Sequence, residues 1–136
     1  MYELLELGRC KANVDIETLM MVDSLEMTKK QREHIVKKCL LENNSQIIIT
    51  HGTDTMVKTA RLLANSNHNK TIVLTGAMIP FKFGSSDGLF NMGSAISYVQ
   101  ALNPGVYIAM NGKIFNWENV QKNKNLGVFE KMEPSK

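Results

Sequence analysis

Three short apolar runs, set far apart along the chain, constrain its fold more than any other feature. They are QIIIT at 46–50, TIVLT at 71–75 and GVYIAM at 105–110. The runs are rich in branched residues and do not alternate with polar ones, which is typical of strands covered on both faces of a parallel sheet. The segments between them are long enough for helices. The sequence therefore predicts an α/β fold with three layers, α/β/α, around a mainly parallel sheet.

Helix signals lie in the expected intervals. Thr28 is followed three residues later by Gln31, the pattern in which a side chain and the backbone cap each other at a helix start. This pattern predicts a helix over 28–43. A second helix is expected from about Thr55 to Ala64.

The second half of the chain continues the same scheme. Ser86 or Asp87 is expected to cap a helix that leads to the third strand, and Asn111-Gly112 predicts a tight hairpin turn after that strand. The last residues, 130–136, are expected to lack regular structure.

Length and composition favour one domain over residues 1–136. A chain of 136 residues, 43% hydrophobic and 21% charged, can bury one sizeable core, whereas two cores would be unusually small. No apolar run approaches the roughly 18 to 20 residues that span a bilayer, so we expect no membrane partner.

The net charge of +3 is spread along the chain. Five basic residues of the first predicted helix alternate with apolar positions and lack neighbouring aromatic residues, which indicates a solvated helix face and no nucleic-acid partner. These five are Lys29, Lys30, Arg32, Lys37 and Lys38.

Cysteine and histidine usage points away from metal chemistry. Cys10 and Cys39 form no CxxC pair and are interpreted as buried thiols, which favours a reducing cytoplasm. The three histidines are not at metal-ligand spacing, and neither GxGxxG nor GxxxxGK[ST] occurs. We therefore expect no metal, no nucleotide and no cofactor.

Polar side chains follow the first two runs, where each strand is expected to end. THGTDT occupies 50–55 and TGAMIP occupies 75–80. The carboxyl ends of parallel strands meet at one edge of a sheet, and ligands bind there. Thr53 and Asp54 either cap the next helix or hold a small substrate and a water, and spacing alone leaves both readings open.

Three further positions are ambiguous. Lys122 is either a surface lysine or one drawn beside a carboxylate to organise proton transfer. His51, directly after a strand, is more typical of a hydrogen-bonded structural histidine than of a base. Asp23-Ser24 either caps a turn or contacts a ligand.

Four strings, ITHGTDTM, VLTGAMIP, SSDGLFN and NGKIF…ENVQKNK, resemble the N-terminal domain of the L-asparaginase family in order and spacing. The resemblance covers roughly residues 19–130 and is strongest to short, single-domain members. It implies hydrolysis of a side-chain amide, L-asparagine to L-aspartate and ammonia, without a metal or cofactor.

The resemblance also implies catalytic residues. In that family a threonine-aspartate pair and a later lysine form a relay of hydroxyl, carboxylate and ammonium, which matches Thr53, Asp54 and Lys122. A neutral hydroxyl is a poor nucleophile without a proton acceptor, so the assignment is chemically consistent. The polar string is thus expected to be a site that also caps a helix.

Three positions match residues that hold the substrate in the family. Ser24 matches the position that helps to hold the α-carboxylate, together with the backbone around Gly52 and Thr53. Ala77 matches the position whose backbone contacts the side-chain amide.

The chain departs from the family pattern at its beginning. Members open with a first strand and a Thr-Gly-Gly-Thr-Ile type turn whose threonine is the usual nucleophile, and no such string occurs here. Relative to the family, the chain is expected to be N-terminally truncated and to lack this normally central strand. Buried unpaired backbone groups cost roughly 1 to 3 kcal/mol each, so a substitute is needed. A fragment, an upstream start, residues 2–7 or another subunit are the candidate explanations.

Two functions stay open at this stage. One is an asparaginase-like amidohydrolase that is impaired in this chain because the nucleophile turn is absent. The alternative is a catalytically silent module that binds an acidic amino acid or mediates assembly. In either case the partner is a small amide or acidic amino acid, and a homodimer or larger oligomer is expected.

Overall fold

A mainly parallel sheet organises the computed structural model, which describes residues 1–132. Its strands are β1 (Gln46–Thr50), β2 (Thr71–Thr75), β3 (Gly105–Met110) and β4 (Lys113–Asn116), hydrogen-bonded in that order. The first three run parallel, with Ile48 opposite Val73 and Val73 opposite Tyr107, and β4 returns antiparallel to β3. The predicted α/β class and all three predicted strands are confirmed.

Four helices and a small second sheet complete the described chain. The helices are α1 (Tyr2–Leu7), α2 (Lys29–Leu41), α3 (Met56–Ala64) and α4 (Gly88–Ala101). Strands β5 (Gln121–Asn123) and β6 (Val128–Glu130) form an antiparallel pair. The expectation that 130–136 lacks regular structure is wrong for Glu130, which ends β6, and positions 133–136 lie outside the described residues.

Helices cover the sheet on both faces, as the three-layer prediction requires. On one face, α2 and α3 pack against β2 and β3. On the other face, α4 packs through Ala95 and Val99 against Val73 and Ala109. The core residues of the first face are Ile35, Cys39, Met56, Ala60, Leu63, Ile72, Leu74, Val106, Ile108, Met110, Phe115, Val120 and Phe129.

Strand β1 is less buried than its apolar sequence predicts. All five residues of β2 are buried, whereas the three isoleucines of β1 are only half-buried and both ends of the strand are exposed. The reason is position, because within residues 1–132 β1 pairs with β2 alone and its other side is the edge of the sheet. Both faces of β1 still contact the core, through Ile47 and Ile49 on one face and Ile48 on the other. The expectation of cover on both faces is therefore confirmed, and the expectation of full burial is wrong.

Residues 2–7 do not fill that edge. They form α1, which packs against α4, the helix that covers the second face of the sheet. This corrects one of the explanations considered for the absent strand. A helix cannot supply the row of N–H and C=O groups that a strand edge needs.

Local capping chemistry sets the helix starts. Thr28 and Gln31 form the reciprocal capping box that begins α2, as predicted. At α4, the Ser86 hydroxyl accepts a hydrogen bond from the Gly88 N–H at 3.0 Å, while the Asp87 carboxylate is turned elsewhere. Asp87 thus occupies the N-cap position of α4, as one of the two predictions has it, while the side-chain hydrogen bond is made by Ser86.

The cysteines differ from each other in burial. Cys39 is buried, and burial raises the pKa of its thiol to about 11. Cys10 is half-exposed, so the expectation of two buried thiols is wrong for Cys10. Within residues 1–132, no helix is long and apolar enough to cross a membrane.

Two glycines lie in different backbone conformations, so their replacement by alanine should have opposite effects on stability. Gly112, in the hairpin after Asn111, has φ of +84°, and a Cβ there would lie 3.4 Å from the ring of Phe90. We expect Gly112→Ala to lower the free energy of unfolding by about 1 to 2 kcal/mol, because left-handed backbone is unfavourable for alanine. Gly93 lies exposed in α4 with open space at its Cβ position, so Gly93→Ala should raise stability by up to about 1 kcal/mol.

Urea denaturation of both variants checks this pair. Equal shifts of the same sign in the two variants would contradict the assigned backbone conformations.

Candidate active site

The turn after β1 is where the first predicted site residues lie. Thr53 and Asp54 belong to a short 3-10 turn, Thr53–Thr55, and α3 begins directly afterwards at Met56. No side chain of the polar string itself caps the turn or α3, whose N-cap residues are Gly52 and Thr55. The expectation that the polar string also caps a helix is therefore wrong, and both side chains are free for another partner.

That partner is Lys122. Its ammonium donates hydrogen bonds to the Thr53 hydroxyl at 2.8 Å and to Asp54 Oδ1 at 2.7 Å. The Lys122 side chain is only 14% exposed, so the surface-lysine reading is wrong. Lys122 reaches the turn because β5 is anchored by the buried residues on either side of it, Val120 before the strand and Phe129 opposite on β6.

The lysine also controls the charge of its neighbour. The hydrogen bond from Lys122, helped by its positive charge, holds the pKa of the Asp54 carboxyl below its ordinary value of 3.8. Asp54 is one-third exposed, so solvent screens this interaction in part. Asp54 is consequently a carboxylate at neutral pH, oriented by an ammonium.

Ser24 and Gly52 contact each other beside the triad formed by Thr53, Asp54 and Lys122. Ser24 is 2% exposed, and its hydroxyl accepts a hydrogen bond from the N–H of Thr55 at 3.4 Å. A Cβ added at Gly52 would lie 2.7 Å from both Cβ and Oγ of Ser24. Only glycine allows this approach, so the two segments form one continuous wall.

Ala77 lies at the end of the neighbouring strand. A Cβ on the preceding residue, Gly76, would collide with the backbone carbonyl of His51. The ends of β1 and β2 are therefore in direct backbone contact, as the parallel topology predicts. Ala77 is half-buried at this same edge of the sheet.

Half-buried Asp87 and buried Asn91 fix the loop that carries Ala77. The Asp87 carboxylate accepts from the N–H groups of Met78 at 3.1 Å and Ile79 at 3.0 Å, and Asn91 donates to the Gly76 carbonyl at 2.8 Å. Burial tends to raise the pKa of Asp87, but its hydrogen bonds, led by the one from Ile79, hold that pKa below 3.8. Asp87 therefore stays ionised, and both peptide bonds beside Ala77 are held.

Arg32 is a site neighbour that the sequence interpretation misplaced. Instead of facing solvent, it is half-buried and donates to the hydroxyls of Thr55 at 2.6 Å and Thr59 at 3.2 Å. A signal for this was present, because Arg32 lies three and seven residues before Ile35 and Cys39, on the face that α2 buries. The predicted solvated face is wrong at this position.

His51 has the structural role predicted for it. Its two ring nitrogens lie 2.7 Å from the Gly52 carbonyl and 2.7 Å from the Thr59 hydroxyl. Burial lowers the pKa of the imidazole below 6.5, and the nearby charge of Arg32 adds to this effect. The ring is thus neutral and fully hydrogen-bonded at pH 7.

The arrangement suits proton transfer at a small polar ligand. A hydroxyl, a carboxylate and an ammonium share one corner, and the N–H groups that begin a helix lie beside them as donors for a developing oxyanion. Within residues 1–132, no three His, Cys, Asp or Glu side chains are grouped in a way that could hold a metal ion.

The ion pair makes a prediction about titration. We expect Lys122→Met to raise the pKa of Asp54 towards its ordinary value, since the largest cause of the depression is removed. Lys124→Met is the matched control, because Lys124 acts only through its more distant charge and should have a smaller effect. Carboxyl-carbon NMR titration of Asp54 measures both.

The same shift has a consequence for stability. A pKa that is lower in the folded state stabilises the fold above the unfolded pKa, and this contribution is lost as pH falls through the folded pKa. The Asp54 contribution should therefore be lost as the pH falls below about 4, and it should be smaller at neutral pH in Lys122→Met. An unchanged Asp54 titration in Lys122→Met would contradict the assigned ion pair.

Comparison with known proteins agrees with the fold of this chain. The N-terminal asparaginase family model matches residues 2–132. A glutaminase-asparaginase of Acinetobacter glutaminasificans is 40% identical over 101 residues, 71% of this chain and 30% of that protein. The L-asparaginase 2 of Escherichia coli is 32% identical over 117 residues, 82% of this chain and 34% of that protein.

Solved structures agree as well. The probable cytoplasmic L-asparaginase of Campylobacter jejuni superposes with a TM-score of 0.86 at 32% identity, covering 96% of this chain and 44% of that one. The chain thus spans about a third to under a half of the length of these relatives. With a family match over nearly all described residues, the chain belongs to the asparaginase family and corresponds to its N-terminal domain.

Proposed function

We propose that the site formed by Thr53, Asp54 and Lys122 serves hydrolysis of a side-chain amide, L-asparagine to L-aspartate and ammonia, without a metal or cofactor. The observation that carries the proposal is the single ammonium that contacts both the hydroxyl and the carboxylate, 2.8 and 2.7 Å away. Names of relatives that include asparaginase and glutaminase-asparaginase support the same reaction class.

In the proposed reaction, an oxygen nucleophile attacks the amide carbon and the carbon–nitrogen bond breaks. The nucleophile is the Thr53 hydroxyl or a water held by Thr53 and Asp54, and its proton passes to the carboxylate of the Asp54 and Lys122 pair. Where Thr53 is the nucleophile, water then cleaves the resulting ester, which releases L-aspartate and restores the hydroxyl. The same pair returns a proton to the departing nitrogen, which leaves as ammonia. Lys122 also stabilises the negative charge that develops on the attacking oxygen.

Substrate orientation is assigned to the wall next to the triad. Ser24 and the backbone of Gly52 and Thr53 are proposed to hold the α-carboxylate, and the backbone at Ala77 to contact the amide. The buried position of Ser24 and the hydrogen bonds on both sides of Ala77 support this, since orientation within a fraction of an ångström is what such a reaction requires.

Turnover by this chain alone is proposed to be impaired. The sequence has no Thr-Gly-Gly-Thr-Ile string, so the usual nucleophile of the family is absent from these 136 residues. The same observation favours a second candidate, a catalytically silent module that binds an acidic amino acid or mediates assembly. For both candidates we propose a cytoplasmic location, the one stated in the name of the Campylobacter jejuni relative.

Two assays on the 136-residue chain separate these functions. We expect little or no ammonia release from L-asparagine or L-glutamine, and a rise in Tm with L-aspartate, because a ligand that binds only the folded state stabilises it. Any turnover that is measured should fall by at least about a hundredfold in Thr53→Ala, as for loss of a group that acts directly at the reacting centre.

Two variants test whether aspartate binding depends on the proposed site. Asp54→Ala should abolish the Tm rise with aspartate, whereas Asp15→Ala, at an exposed carboxylate far along the chain from the site, should retain it. Turnover would favour the hydrolase, and aspartate binding without turnover would favour the binding module. A chain that neither turns over nor binds, or that binds equally well as Asp54→Ala, would contradict the placement of the pocket.

We propose further that the open edge of β1 is completed by a strand from outside the described residues, supplied by a longer form of the protein or by a second copy. The half-buried isoleucines along that edge support the proposal, since an unpaired apolar edge strand favours association. For a second copy we expect a dimer or larger mass by light scattering, with slow amide exchange on both sides of β1. A monomer with rapid exchange at that edge would contradict pairing in the isolated chain.

A further inference from the structure

Arg32 donates more hydrogen bonds to residues around the site than a side chain on a solvated helix face would. Its Nε donates to the Thr59 hydroxyl at 3.2 Å and one terminal nitrogen donates to the Met27 carbonyl at 2.8 Å. The other terminal nitrogen donates to the Thr55 hydroxyl at 2.6 Å and to the Ser24 carbonyl at 3.4 Å. All three guanidinium nitrogens are therefore engaged between α2, the Ser24 segment and α3.

Proton counting gives these contacts a direction. A guanidinium can only donate, so both threonine hydroxyls must accept from Arg32, and each has one proton left to give. The Thr55 hydroxyl gives its proton to the Ser24 carbonyl at 2.8 Å. The Thr59 hydroxyl lies 2.7 Å from Nε2 of His51, and the direction of that hydrogen bond is set by the partner on the other side of the ring.

The second chain continues through His51. The Gly52 carbonyl can only accept, so Nδ1 of His51 carries the ring proton and donates to that carbonyl at 2.7 Å. Nε2 of the neutral ring therefore accepts from the Thr59 hydroxyl. One guanidinium thus orients two series of hydrogen bonds. They end on the carbonyls of Ser24 and Gly52, the two residues in closest contact in the wall of the site.

We propose that Arg32 is a positioning residue, which acts through Thr55 on one side and through Thr59 and His51 on the other to hold Ser24 and Gly52 in the geometry that receives the substrate's carboxylate. The proposal rests on the proposed function for the identity of the ligand, but the proton arrangement does not depend on it. In this role Arg32 acts through its protein neighbours and does not itself contact the substrate.

Lysine cannot replace arginine in this role. The contacts of Arg32 point in several directions from a planar fork, whereas the ammonium of lysine is a single point donor on a flexible chain. Arg32→Lys keeps the charge and loses the simultaneous contacts. Arg32→Met loses both, and Arg61→Met, at an exposed arginine on α3, is the matched control.

Imidazole nitrogen NMR at neutral pH reads the proton arrangement directly. We expect His51 to be the tautomer with the proton on Nδ1. His68 is an internal reference for the opposite tautomer, because its Nδ1 accepts from the Lys70 N–H at 3.2 Å while Nε2 faces the Leu63 carbonyl at 3.1 Å. Observation of His51 with its proton on Nε2 would overturn the proposal.

The Arg32 variants test the cause. Once Thr59 no longer accepts from a guanidinium, its hydroxyl is oriented less firmly towards Nε2 of His51. Both Arg32 variants should therefore change the chemical shift of Nε2, while the proton stays on Nδ1 opposite the Gly52 carbonyl. The amide resonances of Gly52 and Thr53 should move with it, and those of Arg61→Met should not. If Arg32→Met does not fold, Arg32→Lys and Thr59→Val carry the test. Unchanged His51 nitrogens in these variants would overturn the proposal.

Aspartate affinity supplies the functional readout. We expect a fall of about tenfold or more in Arg32→Met and Arg32→Lys, as for loss of one or two oriented hydrogen bonds, and no change in Arg61→Met. Wild-type affinity in Arg32 variants with altered His51 resonances would overturn the positioning role. Absence of aspartate binding in the unaltered protein would count against the proposed function, while the tautomer of His51 and the response of its Nε2 resonance to Arg32 would still decide this inference.

Discussion

The contact of the Lys122 ammonium with Thr53 and Asp54 is the interaction on which the site depends. It joins positions 69 and 68 residues apart and links the small β5–β6 sheet to the end of β1. A lysine side chain that is only 14% exposed needs acceptors for its ammonium, to offset the lost hydration. The apolar residues that anchor β5, Val120 and Phe129, therefore serve the chemistry as much as the core.

A second cation lies on the other side of the same turn. Arg32 contacts Thr55 and Thr59 from α2, while Lys122 contacts Thr53 and Asp54 from β5. The turn between β1 and α3 is thus held from both sides by groups that can only donate hydrogen bonds. Because these cations only donate, the hydroxyls of Thr53, Thr55 and Thr59 accept from them, which reduces the number of arrangements that the site can adopt.

Two strands of the sheet with similar sequences differ in burial because they occupy different positions in it. β1 and β2 have similar apolar sequences, but β2 is fully buried in the middle of the sheet while β1 lies at its edge. A strand's composition reports what it is suited to contact and does not report whether the neighbour is present. This is why QIIIT predicted a strand correctly and its burial incorrectly.

Local signals in the sequence were sufficient for the order of strands and helices, the α2 capping box, the Asn111-Gly112 hairpin and the gathering of THGTDT and TGAMIP at one sheet edge. Periodicity, caps and turn residues act over a few neighbours, so the chain carries them wherever it folds. Tertiary structure alone decided that Lys122 leaves the surface, that Arg32 turns inward and that residues 2–7 form a helix on α4. These outcomes depend on side chains that meet across tens of residues of chain, where the distance between partners is set by packing and not by local sequence.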